Sequence, residues 1–217
     1  MAKKEFTGIT VTLPTCRLLY PVLFDMKRND LKGKDEWSTT MLFDKKDENI
    51  DKKGKTGLKT ESGQDIYMTL KEAMIQAAKN EFGNAVDLKT LDLKRIKDGD
   101  APKSDGEPRR AEYKGQWFVK ASTSLKAPGI VDATREKILD PSEIYSGVYA
   151  NVNVTVKGYV KGVNKGVTLY LNHVQKVKDG EQIAGGPKAQ DVFEELDIEA
   201  TDSQVDAGAE DMAGMFG

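Results

Sequence analysis

An alternating strand in the second half of the chain carries the row of side chains best suited to binding chemistry. Residues 148–162 read VYANVNVTVKGYVKG, in which valine or alanine fills nearly every second position. Strict alternation predicts a strand with one buried face and one open face. The open face has no carboxylate and consists of Tyr149, Asn151, Asn153, Thr155, Lys157 and Tyr159. Two interpretations stay open for this row, an ordinary solvated sheet face and a binding platform.

Neutral donors bracketed by aromatic rings suit a single-stranded nucleic acid. Bases of any sequence stack on aromatic side chains at about 1–3 kcal/mol per base. Tyr149 and Tyr159 are ten residues apart, which is roughly 33 Å along a straight strand, so they would hold different nucleotides. Further ring candidates are Tyr170, Trp37, Tyr113 and Phe118. For the tryptophan, a place in the core is the alternative.

Basic residues cluster in two polar segments and on one strand. The candidates for phosphate contacts are Lys52, Lys53 and Lys55 in the segment 44–66, Arg109 and Arg110 at the end of the segment 97–110, and Lys120 on a strand. The plain alternative is that these loops are simply solvated. Beside aromatic strands, the same cations would neutralise phosphates.

The net charge of -2 conceals an asymmetry along the chain. Residues 191–217 hold nine acidic residues and neither lysine nor arginine, which leaves 33 basic and 26 acidic residues in 1–190, a net of +7. A basic body favours polyanions as partners. The acidic end opposes that attraction, so we expect it to regulate binding.

The composition gives little indication of a catalytic or metal site. The chain has one cysteine, Cys16, and one histidine, His173, too few for a four-ligand zinc site of the usual kind. His173 lies in a predicted strand, where a packed or hydrogen-bonded role is the expected one. We therefore expect a non-enzymatic protein without metal or cofactor. No apolar run approaches the ~20 residues that span a membrane, and MAKKEFTG lacks the apolar segment of a secretory signal.

The elements that must position these residues are five or six strands and one substantial helix. The helix is predicted in YMTLKEAMIQAAKNEFG, where Leu70, Met74, Ala77, Ala78 and Phe82 share one face. It lies between strand groups, as in the OB fold, a five-stranded Greek-key barrel that accepts long loop insertions. An antiparallel sandwich is the competing layout. We predict the barrel in 1–183, a Gly/Pro hinge in 184–190 and a mostly disordered acidic tail in 191–217.

The end of the tail combines charge with large apolar side chains. The residues singled out there are Glu210, Asp211, Met215 and Phe216. Besides the plain role of a solubility tail, two functions fit this pattern. The tail could compete with nucleic acid for the basic body, or dock its apolar tip on another protein.

One stretch of sequence resembles a known family. YSGVYANVNVTVKGY and the following NKGVTLYLNHVQKVKDGEQIAGG resemble the bacteriophage single-stranded-DNA-binding proteins with an OB fold, over about residues 144–186. The resemblance implies sequence-independent binding of single-stranded DNA during phage replication, recombination and repair in the cytoplasm of the infected bacterium. It also implies a tail that recruits replication or recombination proteins and tempers DNA affinity. In one departure, Gly217 follows Phe216, whereas such tails often end in phenylalanine. A phage structural protein, from a tail or a decoration, is the alternative.

Overall fold

The computed structural model describes residues 7–45 and 70–184. The chain divides into two compact units, Met1–Gly185 and Gly186–Gly217, and the second lies outside the described residues. The same holds for the hinge beyond Ala184. Of the predicted site residues, those outside the described ranges are Lys52, Lys53, Lys55, Glu210, Asp211, Met215 and Phe216.

Eight strands form one sheet within the described residues. Five are long, namely β2 Cys16–Asn29, β3 Lys34–Asp44, β5 Gln116–Thr123, β7 Tyr149–Lys161 and β8 Asn164–Lys178, and three are short, namely β1 Ile9–Thr12, β4 Lys97–Asp98 and β6 Gly129–Val131. Their order is β4-β5-β3-β2-β7-β8-β6, and β1 pairs with β7. The five long strands correspond to the predicted barrel strands, whereas β4 and β6 were not predicted because two or three residues show no periodicity.

The predicted alternation of β7 is confirmed. Ala150, Val152, Val154 and Val156 are 0% exposed and form one wall of the core, while the opposite row is mostly half-buried. β7 reaches this central place because β8 pairs with it on one side and β1 and β2 pair with it on the other. Val160 is 60% exposed, because it lies near the β7–β8 turn, beyond the core.

The predicted helix is α1, Leu70–Phe82. Leu70, Met74, Ala77 and Ala78 are buried on one face, and α1 packs against β7. Gly83, with φ at +91°, ends the helix by donating its N–H to Lys79 O at 2.8 Å. Three short 3₁₀ helices lie at Leu88–Thr90, Ala111–Tyr113 and Pro141–Glu143. None of the helices in the described ranges is long and apolar enough to cross a membrane.

A short segment joins the two sides of the sheet. Asp92 receives a hydrogen bond from Val167 N–H at 3.1 Å and donates its own N–H to Lys165 O at 2.9 Å, both on β8. A few residues later, β4 pairs with β5 at Lys97 and Phe118. This segment therefore links β8 to β5, although the strand order of the sheet stays open. The fold is mainly β with one helix and is OB-fold-like, as the sequence predicted.

Candidate nucleic-acid interface

A groove of about 700 Å³ runs over the outer face of β2, β3 and β5, and we call it groove 1. Along its floor the cross-strand pairs are Thr40 with Lys120 and Ser38 with Ser122, and Phe118, the partner of Leu42, lies beside them. Their sequence neighbours Met41 and Val119 point into the core and are 0% exposed. Alternation therefore divides these strands into an apolar inner face and a hydroxyl-rich outer face.

Three aromatic rings gather at one end of groove 1. The Tyr113 and Phe118 ring centroids are 4.6 Å apart and tilted by 60°, and Tyr20 lines the same groove. Phe118 is 8% exposed and packs with Leu19 and Leu42 in a small cluster separate from the main core. The buried ring thus forms the base of this end, while Tyr20, at 38% exposure, presents its ring to solvent.

Tyr20 occupies an unusual backbone conformation. Its φ of +50° is in the left-handed region, which costs roughly 1–3 kcal/mol for a residue other than glycine. The β2–β3 ladder loses register between Leu19 and Val22, as a bulge does when it redirects a side chain. The Tyr20 hydroxyl accepts from Arg110 Nη1 and donates to Glu112 Oε1, each at 3.0 Å. These contacts fix the ring at the rim of groove 1.

Two arginines are held against the rings. The Arg109 guanidinium carbon lies 4.9 Å from the Phe118 centroid, and that of Arg110 lies 5.8 Å from the Tyr20 centroid. Both distances fit cation–π contacts. No ion pair joins Arg109 to a carboxylate of the described residues, and its buried Nε–H has no hydrogen-bond partner among them. The charge of Arg109 is therefore not cancelled within the described part of the chain.

Further cations surround the groove. Its lining includes Lys27, Arg28, Lys32, Arg95, Lys97 and Lys120. Lys32, at the tip of the β2–β3 hairpin, donates through Nζ to Glu36 Oε2 at 2.6 Å and to Ser122 Oγ at 2.9 Å. The hairpin tip is thereby tied across the groove floor to β5.

Glu36 is a carboxylate at only 3% exposure in this basic groove. It accepts from Asn29 Nδ2 and Lys32 Nζ, both at 2.6 Å, and Lys120 Nζ is 3.8 Å away. Burial alone would raise the pKa of Glu36, but the hydrogen bonds from Lys32 and Asn29 and the nearby lysine charges hold it below its ordinary value. Glu36 is therefore charged at neutral pH and fixes the position of Lys32.

None of the six residues in the outward row of β7 lines groove 1, and most of their polar groups bond to neighbouring strands and loops. Tyr149 lies between two cations, with Lys178 Nζ 4.7 Å and Arg17 Cζ 5.4 Å from its centroid. Asn151 accepts from Thr15 Oγ1 at 2.7 Å and donates to Gln175 Oε1 at 3.1 Å. Lys157 faces Thr168 across the β7–β8 ladder.

A second groove, of about 560 Å³, lies between the end of β5 and the outer faces of β7 and β8, and we call it groove 2. Two of the predicted residues, Asn153 and Tyr170, line it. Asn153 donates to Thr12 Oγ1 and accepts from Asn172 Nδ2, each at 2.9 Å. These amides form a hydrogen-bond network that joins β1, β7 and β8.

The remaining two predicted rings lie elsewhere. The Tyr159 hydroxyl accepts from Arg95 Nη2 at 3.0 Å and donates to Asp92 Oδ2 at 3.3 Å, so this ring is bound to the segment that links β8 to β5. Trp37 donates Nε1–H to Phe24 O at 3.2 Å and is half-buried. Neither residue lines groove 1 or groove 2.

Comparison with known proteins assigns the chain to a family. A family model described as "Enterobacter phage Enc34, ssDNA-binding protein" matches residues 9–205. The chain belongs to this family. The resemblance predicted from residues 144–186 is therefore confirmed, and the match covers most of the chain. No curated protein matches the sequence.

Solved structures of the Enc34 family agree in fold. The single-stranded DNA-binding protein from bacteriophage Enc34 in complex with ssDNA is 24% identical, with a TM-score of 0.59 over 84% of this chain and 97% of that chain. A further structure of the single-stranded DNA-binding protein from bacteriophage Enc34 is 23% identical, with a TM-score of 0.55 over 89% of this chain and 97% of that chain. At this identity the likeness concerns the fold, and it supports the predicted OB-fold-like barrel.

The predicted site residues of this Enc34-family chain divide among several places. Three of them line groove 1, namely Tyr113, Phe118 and Lys120. Arg109 and Arg110 line a neighbouring pocket and lie against the rings of Phe118 and Tyr20, which line the groove. Sequence reasoning missed Tyr20, Lys32 and Glu36 in the same groove. A signal for Tyr20 exists in CRLLYPVLF, where Tyr-Pro interrupts the alternation, and Lys32 and Glu36 are four residues apart across a turn.

The single cysteine and the single histidine each contact other parts of the protein. Cys16 is buried, and burial raises the pKa of its thiol. His173 Nδ1 accepts from Gly129 N–H at 3.3 Å. Across residues 7–45 and 70–184, no group of three or more His, Cys, Asp or Glu side chains is placed to hold a metal ion.

Proposed function

We propose that this chain binds single-stranded DNA without sequence preference through groove 1. The observation that carries the proposal is the meeting of three rings and several cations on one outer face of the barrel. Rings hold bases and cations neutralise phosphates, so the groove offers both parts of a single-strand site. Membership of the Enc34 family supports the same ligand.

Each part of groove 1 has a role in this proposal. Tyr20 and Tyr113 stack on bases, with Phe118 as the apolar base beneath them. Arg109, Arg110 and Lys120 contact phosphates. The hydroxyls of the floor, Ser38, Thr40 and Ser122, are of the type that bonds sugar and phosphate oxygens. None of these groups recognises one base pattern, which suits binding to any sequence.

The biological setting extends the proposal. We infer that the protein coats single strands exposed during phage replication, recombination and repair, in the cytoplasm of the infected bacterium, without catalysing a reaction. The division into a barrel at 1–183, a hinge at 184–190 and an acidic tail at 191–217 is part of this proposal. The tail, with Glu210, Asp211, Met215 and Phe216, would modulate affinity and bind replication or recombination proteins. The charge of the tail supports this.

Several predicted contacts stay predictions. Tyr149, Asn151, Lys157, Tyr159 and Trp37 lie outside groove 1 and have protein contacts of their own. The lysines at positions 52, 53 and 55 lie in the segment outside the described residues. Their variants therefore serve as comparisons in the experiments below.

Titration of labelled oligonucleotides across a range of salt concentrations tests the proposal. We expect single-stranded DNA to bind more tightly than duplex DNA of the same length. The log–log slope against salt should be about -0.7 per phosphate neutralised. Equal affinity for both forms, or binding that does not change with salt, would contradict the proposal.

A further inference from the structure

Groove 2 adjoins groove 1 on the same outer surface of the barrel. Thr168 of β8 lines groove 1, and Tyr170, two residues further along the strand, lines groove 2. Residues two apart share one face of a strand and are about 7 Å apart. On β5, Thr123 of groove 2 follows Ser122 of groove 1, although the Thr123 side chain is buried on the opposite face. The two grooves therefore adjoin along β8, where a chain that leaves groove 1 at Thr168 meets Tyr170 of groove 2.

The side chains of groove 2 match the needs of a nucleotide. Tyr170 is half-buried, so part of its ring is open to the groove, and its hydroxyl has no hydrogen-bond partner among the described residues. Leu125, at 83% exposure, offers an apolar surface on the opposite wall. Lys126 is exposed beside it and can meet a phosphate.

The amide network of groove 2 leaves one acceptor available. Asn172 uses both Nδ2 hydrogens, toward Asn153 Oδ1 and Thr155 Oγ1, each at 2.9 Å. Its carbonyl oxygen has no partner within the described ranges. That oxygen can accept from an amino or imino group on a base edge. Because two hydrogen bonds to β7 fix the amide, the acceptor is held in place before the ligand arrives.

We propose that groove 2 is a second subsite for the same DNA strand, which continues from groove 1 across Thr168. This inference rests on the proposed function of groove 1. Tyr170 stacks on a base in groove 2, Lys126 contacts the adjoining phosphate, and Asn172 accepts from the base edge. The DNA length covered by one protein then exceeds the length that groove 1 holds.

The test compares a short and a long oligonucleotide with the full chain. OB folds cover about 4–16 nucleotides, so oligothymidylates of about 5 and about 16 nucleotides separate one subsite from two. Tyr170→Leu should weaken binding of the long oligonucleotide about tenfold, since one stacked base is lost, and leave the short one unchanged. Tyr170→Phe, which keeps the ring, should bind both like the wild type.

A second pair of variants guards against loss of folding. Leu125→Ser and Lys126→Gln change exposed side chains, so thermal unfolding should match the wild type while long-oligonucleotide affinity falls several-fold. Unchanged affinity of all three loss variants for the long oligonucleotide, or an equal loss with both lengths, overturns the second subsite. If groove 1 did not bind DNA, the result would be different, because Tyr20→Asn would then leave the affinity for the short oligonucleotide unchanged.

Discussion

Groove 1 and the outward row of β7 are similar in composition but different in bonding. Both combine tyrosine, hydroxyl or amide groups and lysine on one face of a strand. In the β7 row, Asn151 and Asn153 bond to side chains of neighbouring strands. At groove 1, Tyr20 presents an exposed ring, and the neighbouring Arg109 has no ion pair with a described residue. The amides of the β7 row are thus bonded within the protein, whereas groove 1 offers an exposed ring beside an unpaired cation.

The position of each face in the sheet explains this difference. β7 is paired on both sides, by β8 and by β1 and β2, so its outward side chains have partners within reach on two flanking strands. The face of groove 1 is bordered by the β2–β3 hairpin and the segment that carries Arg109 and Arg110. These walls make the face concave and bring cations to its edges. The comparison leads to four predictions.

Charge reversal should separate the two regions most strongly. Arg110→Glu combined with Lys120→Glu in groove 1 should lower single-strand affinity about 100-fold or more, since each lost charged contact is worth roughly 1.5–3 kcal/mol. Lys161→Glu combined with Lys165→Glu, on exposed positions of the β7–β8 hairpin, changes net charge equally and should cost less than about tenfold. Fluorescence anisotropy at fixed salt measures both. Equal losses would mean that only overall charge matters.

Tyr20→Asn should reduce affinity without reducing stability. Asparagine tolerates the left-handed backbone better than tyrosine does, so the free energy of unfolding should stay the same or rise by up to about 1 kcal/mol. The loss of one stacking ring should weaken binding about tenfold, whereas Tyr20→Phe should retain most of the affinity. Denaturant unfolding and titration are measured on the same samples. Parallel losses of stability and affinity would assign Tyr20 a structural role.

Asn151→Ala should give the opposite result. It removes hydrogen bonds to Thr15 and Gln175, which should lower the free energy of unfolding by about 1 kcal/mol. Affinity for a short oligonucleotide should be unchanged, because Asn151 lies outside groove 1. If the variant bound DNA weakly at wild-type stability, the β7 row would be part of the DNA track after all.

Glu36→Gln should have an effect on stability as small as that of Asn151→Ala, and this effect should depend on pH. The pKa of Glu36 is lowered in the folded state, so its charged form stabilises the fold above its unfolded pKa, and this contribution is lost as pH falls through the folded value. At pH 7 we expect the variant to be less stable by about 1 kcal/mol. The difference from the wild type should shrink below about pH 4.5. A constant difference from pH 7 to pH 3 would contradict this.

Short-range patterns predicted much of the fold. Alternation in VYANVNVTVKGYVKG predicted the buried wall of β7. Helical periodicity predicted α1, and of the five residues assigned to its buried face only Phe82 is partly buried rather than buried. Charge asymmetry indicated a polyanion as partner. The bridge from Asp92 to β4 was not predictable, because pairings of one or two residues leave no repeating signal.

The site was harder to predict than the fold. Alternation shows which face a side chain is on, but it does not show whether another strand supplies a partner, as β8 does for Asn151 through Gln175. The ring of Tyr20 depends on a bulge, and the Lys32–Glu36 pair depends on the conformation of a turn. Phe118 and Lys120 were predicted because alternation along their strand showed that both side chains lie on the outward face.

Ultraviolet crosslinking of a short oligothymidylate, followed by mass spectrometry of the peptides, tests the central claim most directly. If groove 1 binds the strand, the crosslinked residues should include Tyr20, Tyr113 or Phe118. Crosslinks confined to Tyr149 and Tyr159, with none in groove 1, would contradict the account.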